Sequence, residues 1–243
     1  MISNNETQRS AEWMRLRLGR VTGSKVYTLM SSGRKKDTMF SATGMTYIYQ
    51  LAAERQFNPE FLNDESMFED YVHQVDITTK AMQWGIDNED AARSLFERIT
   101  DKEVLEVSTC PHDTIANFAA SPDGMIHDVD GDGNMGVLEI KCPNLGTFAQ
   151  YKTEVHCAED LKRVKPEYYW QMQAEMDCTG AVCGKFVAYC PWLSEPIHIA
   201  HIERVDDDIE LMEEKVIAAN RLIDNIINPK GNEDESNNVA QNG

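Results

Sequence analysis

The sequence has no run of apolar residues long enough to cross a bilayer, and its start, MISNNETQRS, lacks the positive and apolar blocks of an export signal. A cytoplasmic protein that does not enter a membrane is expected. No CxxC occurs, and the six cysteines, Cys110, Cys142, Cys157, Cys178, Cys183 and Cys190, are scattered without short ligand spacing. That argues against a zinc or iron-sulfur site and for free, mostly buried thiols. Internal repeats are absent. Positive charge is scarce: 23 Lys and Arg face 41 Asp and Glu, and the net charge of -18 is a poor match for phosphate neutralisation by the molecule as a whole. Acidic residues, in turn, are missing between Trp13 and Lys36. There Arg15, Arg17, Arg20, Lys25, Arg34, Lys35 and Lys36 form a local basic window, which reads either as a nucleic-acid contact or as a solvated helix face with a basic loop. The last residues, 229–243, have too few apolar side chains to offset the entropy of ordering. One globular domain over 1–228 with a disordered polar tail at 229–243 is expected.

The apolar spacing predicts helices in the first third, around WMRLRLG, SKVYTLM and MTYIYQLAAERQF, and a longer helix from about Lys80 to Ile99. Three strand candidates follow: EVLEVST, the stretch around NFAASPDGMIHD, and GVLEIKCP. The Gly/Asp run VDGDGNM joins the second to the third as a hairpin turn. Helices over Leu145 to Val155 and Pro166 to Cys178, strands KFVAYCPW and PIHIAHIERV, and a helix from Asp207 to about Ile227 complete the chain. This order predicts an α/β fold of the α+β kind, a mixed sheet flanked by helices.

Chemistry concentrates at the third strand candidate. Side chains two apart on a strand share a face, so Glu139 and Lys141 point the same way and Ile140 points oppositely. Asp123, in SPDG, comes alongside through the hairpin. Two carboxylates suit magnesium or manganese, which neutralises a scissile phosphate and activates water; Lys141 can position that water or stabilise developing charge. Alone, an ExK pair reads as a cross-strand salt bridge. SPDG upstream shifts the reading to a nuclease.

Four ordered motifs, WMRLRLGRVTGS, KAMQWGIDNEDAARSLFE, SPDG with LEIKCP, and YYWQMQ before an aromatic strand, resemble the PD-(D/E)xK nucleases, and within them the phage lambda exonuclease and YqaJ-type viral recombinase family. The resemblance implies a restriction-endonuclease-like core, with Asp123, Glu139 and the Ile140 carbonyl holding metal, Lys141 as catalytic lysine, and Glu89 and Gln171 lining the site. Glu89 shares a helix line with Gly85, Ala92 and Phe96, where an unpaired carboxylate is costly; it otherwise reads as an exposed or capping glutamate, and Gln171 as a helix-surface amide. Arg17, Ser24 and Ser121 match residues that hold a terminal 5′-phosphate, a role that a guanidinium fork and hydroxyls suit. Met82 matches an apolar wedge against the terminal base pair, or is helix core. The loop with Arg34, Lys35 and Lys36 is placed to grip DNA backbone.

The implied activity is a magnesium-dependent 5′-to-3′ double-strand DNA exonuclease, with two ions, that acts on duplex ends and leaves 3′ single strands for phage-type recombination. A ring-shaped homotrimer and a single-strand annealing partner are further implications of the resemblance. The alternatives are an endonuclease or nickase on the same fold, or a calcium-binding or DNA-binding protein without nuclease activity. The last arises because Asp128, Asp130, Asp132, Gly133 and Glu139 fit an EF-hand spacing. That loop is longer than in the lambda protein, and it lies between strand candidates rather than helices, which favours a solvated hairpin tip.

Overall fold

The computed structural model describes residues 10–31, 38–75 and 79–229. The expected tail, apart from Pro229, and the basic residues Arg34, Lys35 and Lys36 lie outside them. Elements run α1 (Ala11–Arg17), β1 (Val21–Thr22), α2 (Gly23–Met30), α3 (Ala42–Glu54), α4 (Pro59–Asn63), α5 (Glu65–Val75), α6 (Lys80–Thr100), β2 (Val104–Leu105), β3 (Cys110–Pro111), β4 (Phe118–Ala120), β5 (Gly124–Ile126), β6 (Gly136–Lys141), α7 (Leu145–Glu154), α8 (Ala158–Val164), α9 (Pro166–Thr179), β7 (Cys183–Tyr189), β8 (Ile197–Glu203) and α10 (Asp206–Ile227).

Local chemistry explains where the helices begin. Ser10, Ser41, Thr79 and Asn144 each accept a backbone N–H from the first turn of α1, α3, α6 and α7, and Pro166 opens α9, where its missing N–H costs nothing. The main sheet has the order β2-β5-β6-β7-β8, antiparallel except for the parallel pair β6–β7. A smaller sheet has the order β1-β4-β3.

The central strand β6 separates two apolar layers. Leu138 and Ile140 pack with Ala92 and Phe96 of α6, while Val137 joins the larger core on the opposite face. Truncating Leu138 to Ala removes a fully buried side chain and costs about 2–5 kcal/mol. Helix α9 is buried nearly all round, with Tyr169, Trp170, Met172, Ala174 and Met176 in the core, because it lies against α2, α8 and α10 as well as β6. Its polar residues are therefore forced to find partners inside the molecule.

Three expectations need correction. EVLEVST pairs only over Val104–Leu105, and the stretch NFAASPDGMIHD is two strands in different sheets, β4 and β5, joined by Ser121, Pro122 and Asp123. Alternation alone does not reveal a change of sheet, since both halves are apolar. The strand predicted through Trp192 ends at Tyr189, because the chain turns at Pro191, which has no N–H to offer, and Leu193 N–H bonds to the Cys190 carbonyl.

Candidate active site

The passage between the two sheets sets Asp123. Gly124, the first residue of β5, lies so close to β2 that a Cβ there would sit 2.4 Å from Val104 Cγ1, so glycine is needed for this approach. The β5–β6 register pairs Gly124 with Leu138, and Asp123 Oδ2 accepts the Ile140 N–H at 2.7 Å. One carboxylate is thereby tied to the backbone between Glu139 and Lys141.

Glu139 is completely buried. Its Oε1 receives Lys141 Nζ and, at 2.6 Å, Gln171 Nε2, while Oε2 is buried with no hydrogen-bond partner among the described residues. Gln171 also donates to Glu175 Oε1 at 2.9 Å, and Glu175, fully buried one turn along α9, likewise leaves Oε2 unpartnered. Burial and the Asp123 charge push the Glu139 carboxyl up to about 7, although Lys141 works against them. Burial and the charges of Glu139 and Asp123 raise Glu175 well above the usual carboxylate range. For Lys141 burial acts to lower the pKa, but Glu139 and Asp123 outweigh it, so the ammonium is retained; it also lies 5.1 Å from the Tyr168 ring centroid. Clustered carboxylates with orphaned, buried oxygens are stabilised by a cation or a proton. Hard oxygen donors of this kind fit a divalent ion such as magnesium or manganese.

Glu175 was not legible as a site residue from the motifs alone. Its signal is positional: it follows Gln171 by four residues, on the same helix face. Gln171 is no surface amide. Glu89 also departs from expectation, since its carboxylate is not unpaired: Arg93, four residues on, holds Glu89 Oε1 at 3.1 Å and also reaches Asp90, Glu106 and, at 3.5 Å, the Asp123 carbonyl. Glu89, Asp123, Ile140 and Lys141 line an open cleft of about 1310 Å³. Met82 lines it too, and at 55% exposure is not helix core.

A second polar cluster lies near the carboxylates. Arg17 donates to Ser121 Oγ at 2.9 Å and to Ser24 Oγ at 3.0 Å, and its guanidinium lies 4.2 Å from the Trp13 ring centroid. Burial lowers the Arg17 pKa to about 10, with Tyr47 and Glu175 opposing, so it remains charged at neutral pH. Residues 104 positions apart are brought together here. Ser121 is two residues from Asp123, so one hydroxyl of this cluster and one carboxylate share a short segment.

Two other polar groups bear on metal binding. At the hairpin tip, Asp128 Oδ1 accepts the Gly133 N–H and Asp130 accepts from the Asp132 N–H and the Asn134 amide, while Glu139 is turned into the core. Strands flank the loop, and Glu139 cannot close it as an EF-hand ligand. His112, Asp177 and Glu213 also cluster, with His112 Nε2 3.2 Å from each carboxylate. The backbone N–H groups of Thr114 and Ile115 both donate to His112 Nδ1, so the ring proton sits on Nε2 and faces the carboxylates. A protonated nitrogen is not a metal ligand, and this group instead ties β3 to α9 and α10.

A mixed, helix-flanked sheet that carries SPDG into one strand and ExK on the next defines a nuclease of the PD-(D/E)xK class. Residues 12–182 match the YqaJ-like viral recombinase domain. The chain belongs to that family. An alkaline exonuclease from Laribacter hongkongensis (LHK-Exo) is 31% identical, with a TM-score of 0.69 over 90% of this chain and 94% of its own; its complex with dAMP gives the same values. A phage related exonuclease from Haemophilus somnus 129PT, 15% identical with a TM-score of 0.61 over 89% of this chain and 99% of its own, shares the fold. No curated protein sequence matches the chain. Among the described residues, no helix is long and apolar enough to cross a membrane.

Proposed function

We propose that the protein is a magnesium-dependent exonuclease that degrades one strand of duplex DNA from its 5′ end and leaves 3′ single strands for recombination. The observation that carries the reading is the meeting of Arg17, Ser24 and Ser121 beside Asp123 and Glu139. A terminal phosphate held by the guanidinium and two hydroxyls anchors the strand with the next phosphodiester bond over the carboxylates. Manganese is an alternative ion of suitable chemistry. Asp123, Glu139 and the Ile140 carbonyl would hold the metal, with Glu89 nearby; when bound, it supplies charge neutralisation and water activation. Lys141, kept charged by the carboxylates, orients the attacking water and stabilises charge that develops on the phosphate. Gln171 fixes the rotamer of Glu139.

Residues 1–228 form the nuclease domain in this reading. DNA ends are the substrate class, in keeping with the family and with relatives named as exonucleases. Two bound ions, a homotrimeric ring and a single-strand annealing partner extend the reading from family resemblance. Cytoplasmic action, in a bacterial host for a phage-borne copy, follows from the same resemblance.

The test compares blunt duplexes with 5′-phosphate or 5′-hydroxyl ends, incubated with magnesium, and resolves the products over time. The phosphorylated duplex is degraded much faster and from its 5′ ends, and Arg17→Ala slows it by roughly ten- to a hundredfold while barely changing the hydroxyl substrate. Equal wild-type rates for the two ends, or digestion from the 3′ terminus, overturn the polarity. Cutting of a covalently closed circle points to an endonuclease instead.

A further inference from the structure

The cleft has a wall that the proposed hydrolysis does not use. Trp192 is 71% exposed, yet it sits on a loop that is pinned: Cys190 N–H bonds to the Pro196 carbonyl at 2.7 Å, Leu193 N–H to the Cys190 carbonyl at 3.3 Å, and Glu195 pairs with Lys152. One face of its indole stacks on Trp84 of α6, with ring centroids 5.6 Å apart and planes 18° from parallel. Both indoles line the cleft that also contains Asp123, Glu89 and Lys141. A large apolar side chain held rigidly in water is costly unless something covers it.

Gly85, next to Trp84, supplies a second and independent observation. Glycine is disfavoured inside a helix, and close packing is the usual reason for its presence. Here a Cβ would meet nothing within 4 Å among the described residues, so none of them demands glycine at this position in α6. Gly85 lines the cleft one turn before Glu89, on the same helix face. The bare backbone therefore leaves room on the side from which substrate reaches the carboxylates.

We propose that Trp84 and Trp192, with the open backbone at Gly85, form a stacking subsite for an unpaired nucleobase of the strand being cut. The occupant follows from the chemistry. The wall offers the flat π-faces of Trp84 and Trp192 with Lys80 one turn before Trp84, and it is continuous with a site built for a phosphodiester, so what enters beside that phosphate is the base attached to it. Every base has a π-face, so the subsite accepts any sequence. The proposal rests on the nuclease reading above, and its test separates the two.

Binding is measured with chelator present, so that no strand is cut, using a 5′-phosphorylated duplex whose first two 5′ nucleotides are unpaired and either carry bases or are abasic. The wild type binds the base-bearing end about 5- to 100-fold more tightly. Trp192→Ala loses that preference and an equal factor of affinity, and Trp192→Phe keeps most of both. Gly85→Ala keeps or raises the unfolding temperature and still binds the base-bearing end more weakly. Wild-type affinity and preference in Trp192→Ala overturn the subsite, and so does a change of oligomeric state in that variant with DNA binding intact, which would assign the wall to a protein partner. Unchanged binding by Gly85→Ala overturns the close approach at the helix. Failure of the wild type to release nucleotides from a labelled duplex with magnesium overturns the nuclease reading instead, and the chelated arms still decide the stacking.

Discussion

Two regions of this protein are crowded with carboxylates, and they handle them in opposite ways. At the hairpin tip, Asp128 accepts the Gly133 N–H and faces Lys102 at 3.9 Å, Asp130 is satisfied on Asp132 and Asn134, and the Asn134 amide holds the Asp130 carboxyl below its usual range. Around Gln171 in the interior, Glu139 and Glu175 are fully buried, each keeps an oxygen without a hydrogen-bond partner among the described residues, and burial holds both carboxyls above their usual range. The tip places its charges in water, where like charges are screened. The interior places them in low dielectric, where proximity costs free energy until a cation or a proton arrives. An EF-hand spacing alone would make the tip a metal loop, but unsatisfied burial favours the site of Asp123 and Glu139.

The largest effect should come from the cleft. Asp123→Ala, Glu139→Ala and Lys141→Ala are each expected to abolish strand release, by a thousandfold or more on the order of a lost electrostatic contact in a dry site, with circular dichroism unchanged. Full activity in Lys141→Ala would sink the mechanism.

Glu175 separates positioning from metal holding. Burial and the charges of Glu139 and Asp123 favour the neutral form of Glu175, and Glu175→Gln keeps a neutral group of the same shape at that place. The glutamine variant should retain activity within about tenfold, while Glu175→Ala falls further because Gln171, which orients Glu139, loses a buried partner. If both variants lose activity completely and also lose metal affinity by calorimetry, Glu175 is itself a ligand.

Stability should report the same contrast with pH. The folded-state pKa of Glu139 stands above the usual 4.5, at about 7, so this group's contribution to stability is full below 4.5 and is lost as pH rises through 7. Only the ionised carboxylate holds a cation. Magnesium at a hundred times its dissociation constant should therefore add about 2.7 kcal/mol, or roughly 5–10 °C in unfolding temperature, at alkaline pH, and little near pH 5. A magnesium effect independent of pH between 5 and 8 would contradict the coupling.

The smallest effect belongs to the tip. Asp130→Ala combined with Asp132→Ala should leave activity unchanged and stability within about 0.5 kcal/mol, because both side chains are exposed and their bonds are local. A tight calcium site that vanishes in this double variant would restore the EF-hand reading.

Much of this was legible in the residues themselves. The alternation on β6 places Glu139 and Lys141 on one face, the Gly/Asp run marks the turn, and ordered motifs name the nuclease class, because strand periodicity and turn chemistry are local properties. The tertiary structure decided what depends on contacts between distant segments. It paired Glu89 with Arg93, tied Asp123 to the Ile140 N–H, and brought Glu175 under Glu139 through the burial of α9. It also carried Trp192 off its predicted strand and onto Trp84, more than a hundred residues earlier in the chain. Sequence determines which charges exist and which face of an element they occupy. Whether a charge ends in water or in a dry cleft depends on what the rest of the chain packs around it, and burial, more than residue type, sets whether a carboxylate needs a metal.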